Sequence, residues 1–177
     1  MVATMAVGMI AGCGSSEERG VESSGTAETT TESDSDKGVL RVGMECAYAP
    51  FNWTQETPEV ANGDTAVQIY GTDYYAYGYD VMMAKKLCEA NGWQLEVMAI
   101  GWDGLTPALN AGTIDAVIAG QSMTATRLAE VDMAGPYYYA TIVCLTTADS
   151  PLAKATSIAD LKGTCTSQSG TIWYDTC

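Results

Sequence analysis

The stretch from residue 102 to 120, WDGLTPALNAGTIDAVIAG, decides the fold. Asp103 is placed to cap a short helix, Pro107 is tolerated in the first turns of a helix, and Gly112 can end it. Residues 116–119 (AVIA) are continuously apolar, which predicts a buried strand that is central and parallel in its sheet. A short helix followed by such a strand is typical of an α/β protein.

Outward from this stretch, the chain alternates between strand and helix patterns. Residues 39–43 are rich in β-forming side chains, and residues 94–100 alternate between apolar and polar, so each predicts a strand. Between them, Asp80 can cap a helix that runs to about Asn91, where Gly92 supplies the left-handed stop. The later elements are predicted as a helix at 126–131, a strand at 141–146, a helical turn at 157–161, a strand at 164–167, and a turn at 169–171 that opens a last helix. This order predicts a parallel sheet with helices on both faces, and ligands of such sheets bind beyond the carboxyl ends of the strands.

Charge and composition exclude several classes of protein. The 177 residues include 8 Lys+Arg and 22 Asp+Glu, which gives a formal net charge of −14. A chain this acidic cannot replace the counterions around the phosphates of a nucleic acid. We therefore expect no nucleic-acid partner. Histidine is absent, which removes Ser-His-Asp and Cys-His hydrolases and the usual zinc sites. No motif for a metal ion or a cofactor is evident, and we expect neither.

The N-terminal residues predict a targeting signal rather than a folded element. Residues 1–12 are apolar and uncharged, and they lead into Ile10-Ala11-Gly12-Cys13. This run resembles a bacterial lipobox, in which the peptide is cut before the cysteine and the thiol takes a lipid. Residues 1–13 are therefore predicted to be the remnant of a signal peptide, with Cys13 as the lipidation site and the membrane anchor. A short buried helix is the alternative. The missing cationic start predicts a true start upstream, or a partial gene.

Residues 14–37 predict a disordered tether. Apart from Val21 and Ala27, they are Ser, Thr, Gly and charged residues. Such a segment cannot bury enough apolar surface to offset the entropy lost on ordering. A tether behind a lipidated cysteine would keep a folded domain near the membrane while leaving it free to turn.

Seven motifs in order resemble one protein family. They are GVLRVG at 38–43, APF at 49–51, GYDV at 78–81, WDGLTPAL at 102–109, GTIDA at 112–116, TATR at 124–127 and GPYY at 135–138. The set resembles the extracellular solute-binding proteins of family 3, the amino-acid receptors of ABC importers. The resemblance implies an α/β, periplasmic-binding-protein-like fold, with two lobes of parallel-rich sheets that close on a ligand. It places a nearly complete lobe 1 at 38–136, the hinge at 137–139, and the start of a truncated lobe 2 at 140–177.

The resemblance also implies which residues bind the ligand. Arg127 matches the carboxylate-binding arginine of the family, and a planar guanidinium can grip a carboxylate through two parallel hydrogen bonds. Tyr48 and Trp102 match aromatic positions that line the cleft. Glu45 matches an acidic position that contacts the ligand's side chain, which favours a polar or cationic amino acid. The remaining matches are Gly120, Ser122 and Thr124 in lobe 1, and Gln168 and Thr171 in the lobe 2 loop that faces the carboxylate.

Simpler structural roles stay open for several of these residues. Gly120 also fits a strand-end turn, Thr124 also fits a helix cap, and Glu45 also fits a surface carboxylate. The two aromatic residues, taken singly, also fit a hydrophobic core.

The leading hypothesis is a lipid-anchored, monomeric receptor on the extracellular face of the bacterial membrane, or in the periplasm. It would bind an amino acid between two lobes and deliver it to the permease of an ABC transporter, without catalysis. One alternative is a cyclohexadienyl-dehydratase-like enzyme on the same scaffold, for which Glu45 is the only candidate general acid. Another is the extracellular ligand-sensing domain of a signalling receptor.

Two features depart from the simplest pattern of the family. Residues 55–77 are longer than that pattern needs, and they predict either a hairpin lid near the cleft or, preferably, a surface elaboration. The cysteines are the other feature: no disulfide pairing follows from the sequence, and Cys88 and Cys144 are predicted to be buried free thiols.

Overall fold

The computed structural model describes residues 38–177. The predictions about the signal peptide, Cys13 and the tether at 14–37 concern residues outside this range. The strands are β1 (Val39–Met44), β2 (Ala47–Tyr48), β3 (Asn52–Gln55), β4 (Val67–Gln68), β5 (Tyr75–Tyr77), β6 (Gln94–Ala99) and β7 (Ala116–Val117). The α-helices are α1 (Tyr79–Asn91), α2 (Leu105–Asn110), α3 (Ala125–Leu128) and α4 (Ile172–Thr176), and short 3₁₀ turns form at Trp102–Gly104, Pro151–Lys154 and Ile158–Asp160.

A three-stranded parallel sheet carries the candidate site. Its order is β6-β1-β7, and Val42 of β1 pairs with Val97 on one side and Ala116 on the other. The prediction that residues 116–119 form a parallel strand is confirmed for residues 116 and 117. The prediction that this strand is central is wrong, because β1 takes the middle position and β7 lies at the edge.

Close packing on one face of β1 depends on Gly43. A Cβ at this position would lie 2.5 Å from Ile114 Cδ1 and 3.1 Å from Leu105 Cδ2, so only glycine lets these two side chains reach the sheet. Leu105 opens α2, and both side chains are fully buried. The predicted cap of this helix is wrong, because Asp103 lies inside the preceding 3₁₀ turn.

Helix α1 packs its apolar stripe into the core, as its periodicity predicts. Val81 and Ala84 are buried in one cluster with strand residues Val42 and Val97, and Cys88 of the same helix is also buried. The helix ends as predicted at a left-handed Gly92, with φ of 68°. Its start differs from the prediction. The N-cap is Gly78 and makes no side-chain bond, while Asp80 lies in the first turn and points inward.

Residues 55–77 are built into a second sheet. This antiparallel sheet has the order β2-β3-β5-β4, so the segment supplies two of its four strands. Ile69 is buried and pairs with Val97 of the first sheet, and Lys85 of α1 forms an ion pair with Asp64. The segment is therefore part of the scaffold rather than a surface elaboration alone.

The C-terminal segment has little regular structure. The predicted strands at 141–146 and 164–167 are wrong, and Val143 and Leu145 are 81% and 95% exposed. A strand needs a neighbour for its N–H and C=O groups, and no strand lies beside either segment within residues 38–177. Cys144 is exposed, which contradicts its predicted burial, whereas Cys88 is buried as predicted. The 3₁₀ turn at Ile158–Asp160 and helix α4 lie where the sequence predicts helical turns.

The helix predicted at 126–131 is shorter and begins one residue earlier, as α3. No helix within the described range, residues 38–177, has the length and apolar character needed to cross a bilayer.

Candidate functional site

The site begins where the chain leaves β7 and turns into α3. Thr124 is the N-cap of this helix, and its Oγ1 accepts a hydrogen bond from the Arg127 main-chain N at 3.2 Å. The capping role that the sequence left open for Thr124 is therefore present in the structure. The cap fixes the first turn of α3, from which the Arg127 side chain reaches back to the Ser122 carbonyl.

The Arg127 guanidinium is held by two main-chain carbonyls and one aromatic ring. One terminal nitrogen donates to the Ser122 carbonyl at 2.7 Å, and the other donates to the Gly170 carbonyl at 2.9 Å. The guanidinium carbon lies over the Trp102 ring, 5.2 Å from its centroid. Trp102 Nε1 donates to the same Gly170 carbonyl at 3.3 Å. Residues from three distant parts of the chain therefore meet at this cation.

In the part of the chain that the structure describes, this cation forms no ion pair. Within residues 38–177, the ion pairs are those of Arg41 with Asp115 and of Lys85 with Asp64, and Arg127 takes part in neither. Partial burial lowers the pKa of Arg127 from its ordinary value, and the charge of Asp175 opposes this shift. An arginine nevertheless stays protonated in a protein. A half-buried cation held by neutral carbonyls favours the binding of an anionic group.

A loop closed by a disulfide brings Gly170 to the cation. Cys165 and Cys177 form the disulfide, and helix α4 begins inside the loop. Thr171 is 4% exposed, caps α4 by accepting from the Tyr174 N at 3.2 Å, and donates to the Gln168 carbonyl at 2.7 Å. The hydroxyl of Thr171 is thus engaged within the loop, and Gln168 is exposed and contributes its main-chain carbonyl.

Tyr48 and Gly120 are in contact on the neighbouring side of the site. Gly120 has φ of 61°, and a Cβ on it would lie 3.3 Å from Tyr48 Cε1. The Tyr48 ring stacks on Phe51 with centroids 5.1 Å apart, and it lies 6.2 Å from the Trp173 ring. Burial is the main cause that raises the pKa of the Tyr48 hydroxyl. Gly120 is thus both a turn after β7 and a point of close approach.

Glu45 is separate from this cluster. It is half-buried, and among the described residues it makes no hydrogen bond or ion pair. Its charge contributes to the raised pKa of Tyr48, which places it within electrostatic range of that ring. The structure does not bring it to Arg127.

A buried polar network was missed by the sequence reasoning. Asp80 is fully buried, and its carboxylate accepts from Asn52 Nδ2 at 2.7 Å and from the Tyr137 hydroxyl at 2.6 Å. The Tyr137 hydroxyl in turn accepts from the Gly120 main-chain N at 3.1 Å. A signal was present in the sequence, since an aspartate beside the apolar stripe of α1 needs a buried polar partner.

A groove of about 1000 Å³ shares Gly120 and Ser122 with the site, and its lining also includes Phe51, Tyr137 and Trp173. Arg127, Trp102 and Tyr48 are not part of this lining. Its apolar character suits the stem of a small organic ligand. Among residues 38–177, no cluster of His, Cys, Asp and Glu side chains could hold a metal ion.

A family model described as bacterial extracellular solute-binding proteins, family 3, matches residues 40–164. This chain belongs to that family. Membership agrees with the motif resemblance and carries the periplasmic-binding-protein-like α/β fold, to which the parallel sheet described above conforms.

The matches to individual relatives of this solute-binding protein cover only part of each relative's length. The arginine-binding extracellular protein ArtP of Bacillus subtilis (strain 168) is 30% identical over 131 residues, which are 74% of this chain and 44% of that protein. The probable histidine-binding protein of Neisseria gonorrhoeae is 33% identical over 122 residues, which are 69% of this chain and 38% of that protein. A solved variant of arginine-bound ArgBP from T. maritima is 28% identical with a TM-score of 0.45, and the match covers 57% of this chain and 40% of that one. The chain therefore spans less than half the length of these three relatives.

Proposed function

We propose that this solute-binding protein is the amino-acid receptor of an ABC importer, and that Arg127 binds the carboxylate of the ligand. The observation that supports this is the environment of the guanidinium: half-buried, stacked over Trp102, and without an ion pair within residues 38–177. A carboxylate would supply the missing countercharge and match the planar fork through two parallel hydrogen bonds.

Binding requires an exchange at the Gly170 carbonyl. This carbonyl occupies one terminal nitrogen of Arg127, and a carboxylate is a stronger acceptor because it is charged. The ligand would therefore enter between Arg127 and the loop at 168–171, with the loop retained on the far side of the carboxylate. Such a ligand is contacted from two segments at once, which favours the closed arrangement.

The rest of the site favours a cationic or polar side chain on the ligand. Tyr48 and Trp102 offer aromatic faces that attract a cation, and Glu45 is a half-buried carboxylate without an ion pair in the described range. The relatives named for arginine and for histidine support the same class of ligand.

The proposed receptor performs no chemistry and delivers its ligand to the permease. We further propose that Cys13 carries a lipid that anchors a monomer to the outer face of the membrane, with residues 14–37 as the tether. The relatives named as arginine- and histidine-binding proteins favour the binding role over a dehydratase-like reaction, so the binding role is the one we put forward.

A thermal-shift screen of the chain against the common amino acids tests the proposal. A ligand bound only by the folded state raises the melting temperature, and at about 100 times its Kd it adds about 2.7 kcal/mol. We expect the largest shift from a cationic amino acid such as L-arginine. Agmatine is the matched control ligand, because it keeps the guanidinium and lacks the carboxylate. Equal shifts from agmatine and L-arginine would contradict the role of Arg127, and the absence of any shift would contradict the amino-acid class.

A further inference from the structure

The carboxylate of Asp80 is fully buried at the first turn of α1, and each of its oxygens accepts a hydrogen bond. Asn52 donates to Oδ2 and the Tyr137 hydroxyl donates to Oδ1, at 2.7 and 2.6 Å. Both donors are side chains from other parts of the chain, so the hydrogen bonds link the segments that contain Asn52, Asp80 and Tyr137. A buried carboxylate is retained at a free-energy cost, and the cost is offset only while both partners stay in place.

The Tyr137 hydroxyl extends this network into the candidate site. While it donates to Asp80, it accepts from the Gly120 main-chain N at 3.1 Å. Gly120 lies two residues before Ser122, and the Ser122 carbonyl accepts from Arg127 at 2.7 Å. The buried carboxylate and the guanidinium are thus connected by two hydrogen bonds, the three-residue segment 120–122 and a third hydrogen bond.

The same carboxylate also supports the other side of the site. Asn52 Oδ1 accepts from the Cys46 main-chain N at 2.8 Å, next to Glu45 in the sequence and two residues before Tyr48. The segment at 45–48 and the segment at 120–127, which both carry candidate binding residues, are therefore joined through one buried group. Burial raises the pKa of Asp80, and the hydrogen bonds from Tyr137, Asn52 and the Gly120 main chain oppose that shift.

We propose that Asp80 is a positioning residue of the ligand site: acting through Tyr137, it fixes the segment 120–122 and thereby the direction of the Arg127 guanidinium. The inference rests on the proposed function only in assigning a ligand to Arg127. Its geometric part stands on the hydrogen bonds alone.

Tyr79 supplies a matched control for the Tyr137 hydroxyl. Its own hydroxyl donates to the Tyr137 main-chain carbonyl at 3.0 Å, and the two rings stack with centroids 6.0 Å apart. It therefore holds the same segment against α1 with the same kind of group. It has no hydrogen bond to Gly120 or to Asp80. Tyr79→Phe removes an anchor of the segment and leaves the positioning network intact.

The test compares Tyr137→Phe with Tyr79→Phe by amide hydrogen exchange and by L-arginine titration. Tyr137→Phe removes the hydroxyl that accepts from the Gly120 N–H and leaves the Asp80 carboxylate as the other acceptor near it. We therefore expect the exchange of this N–H to quicken at least tenfold and the affinity for L-arginine to fall about five- to tenfold. For Tyr79→Phe we expect less than a twofold change in either quantity. Unchanged Gly120 exchange in Tyr137→Phe would overturn the proposal. Equal losses of affinity in the two variants would also overturn it.

The Arg127 Nε–H resonance separates this proposal from the proposed function. We expect it to shift in Tyr137→Phe and in Asp80→Asn, and to stay in place in Tyr79→Phe, whether or not a ligand binds. If the wild-type chain binds no amino acid while these shifts occur, the proposed function fails and the positioning role holds. If L-arginine binds and the resonance does not respond to Tyr137→Phe, the positioning role fails alone. Should Asp80→Asn not fold, Tyr137→Phe carries the test, since it leaves the buried carboxylate its bond from Asn52.

Discussion

Arg127 and Trp102 donate to one and the same acceptor, the carbonyl of Gly170, while the guanidinium lies 5.2 Å from the centre of the Trp102 ring. Gly170 lies 43 positions after Arg127 and 68 positions after Trp102 in the chain. An aromatic face and carbonyl dipoles stabilise the cation without neutralising it. The guanidinium therefore keeps its charge available for a ligand.

Replacing Arg127 by alanine should weaken amino-acid binding by about 2–5 kcal/mol, because the ligand carboxylate would be buried without a partner. The affinity of Arg127→Lys should lie between those of the wild type and Arg127→Ala, since a lysine keeps the charge and loses the planar fork. Titration calorimetry measures both affinities. Lys86→Ala, which removes an exposed cation from α1, is the control and should change the affinity little. A loss below threefold in Arg127→Ala would contradict the assigned role.

Gly120→Ala should lower both stability and affinity. Gly120 has φ of 61°, where a Cβ costs about 1–2 kcal/mol, and that Cβ would also press on Tyr48 at 3.3 Å. Gly71→Ala is the matched control, because Gly71 has φ of 74° and no atom within 4 Å of the added Cβ. Denaturant unfolding should report a similar backbone cost in both variants. Only Gly120→Ala should weaken ligand binding, and equal affinities in the two would argue against a role for the contact with Tyr48.

Loss of the Cys165–Cys177 disulfide should loosen the loop that reaches Arg127. The bond joins residues 12 positions apart and encloses both Gly170 and helix α4. Closing a loop of about 15 residues is worth about 3 kcal/mol in the chain-entropy account, so its removal should raise the local opening of this segment strongly. In Cys165→Ser, hydrogen exchange of residues 168–176 should quicken. Cys144→Ser, at an exposed free thiol, should leave that exchange unchanged. Peptide mapping without reductant that pairs Cys144 with either cysteine would contradict the assignment.

The ion pair between Arg41 and Asp115 should stabilise the fold at neutral pH and not in acid. Arg41 donates to both oxygens of Asp115 at 3.0 and 2.7 Å, which holds the pKa of that carboxyl below its ordinary 3.8. The folded state therefore favours the ionised form, so the contribution is present above pH 3.8 and is lost as the pH falls through the lower pKa of the folded state. Melting temperatures across pH should separate wild type from Asp115→Asn near neutrality and converge in acid. The control is Asp132→Asn, at an exposed carboxylate that forms no ion pair within residues 38–177. Its melting temperature should stay close to that of the wild type at every pH. A gap that persists in strong acid would show that the pair acts through packing rather than charge.

Much of the scaffold could be predicted because its signals are local. The stripe of Val81, Ala84 and Cys88, and the left-handed stop at Gly92, depend only on residues a few positions apart, and both are confirmed. The seven motifs likewise identified the family. Residues 141–146 carry a local pattern too, yet they form no strand, because a strand is completed by a neighbour that a local pattern does not specify.

Residue types and their spacing were enough to select the α/β class and the family, because each follows from short-range periodicity or from a motif. The role of Arg127 as the cation that binds a ligand stays a prediction. Only the tertiary structure showed three other features. They are the position of β7 at the edge of the sheet, the burial of Asp80, and the contact of Arg127 with Gly170. The partners of Asp80 lie 28 and 57 positions away. Contacts over such separations are set by how the elements pack, and no local stretch of sequence contains that information.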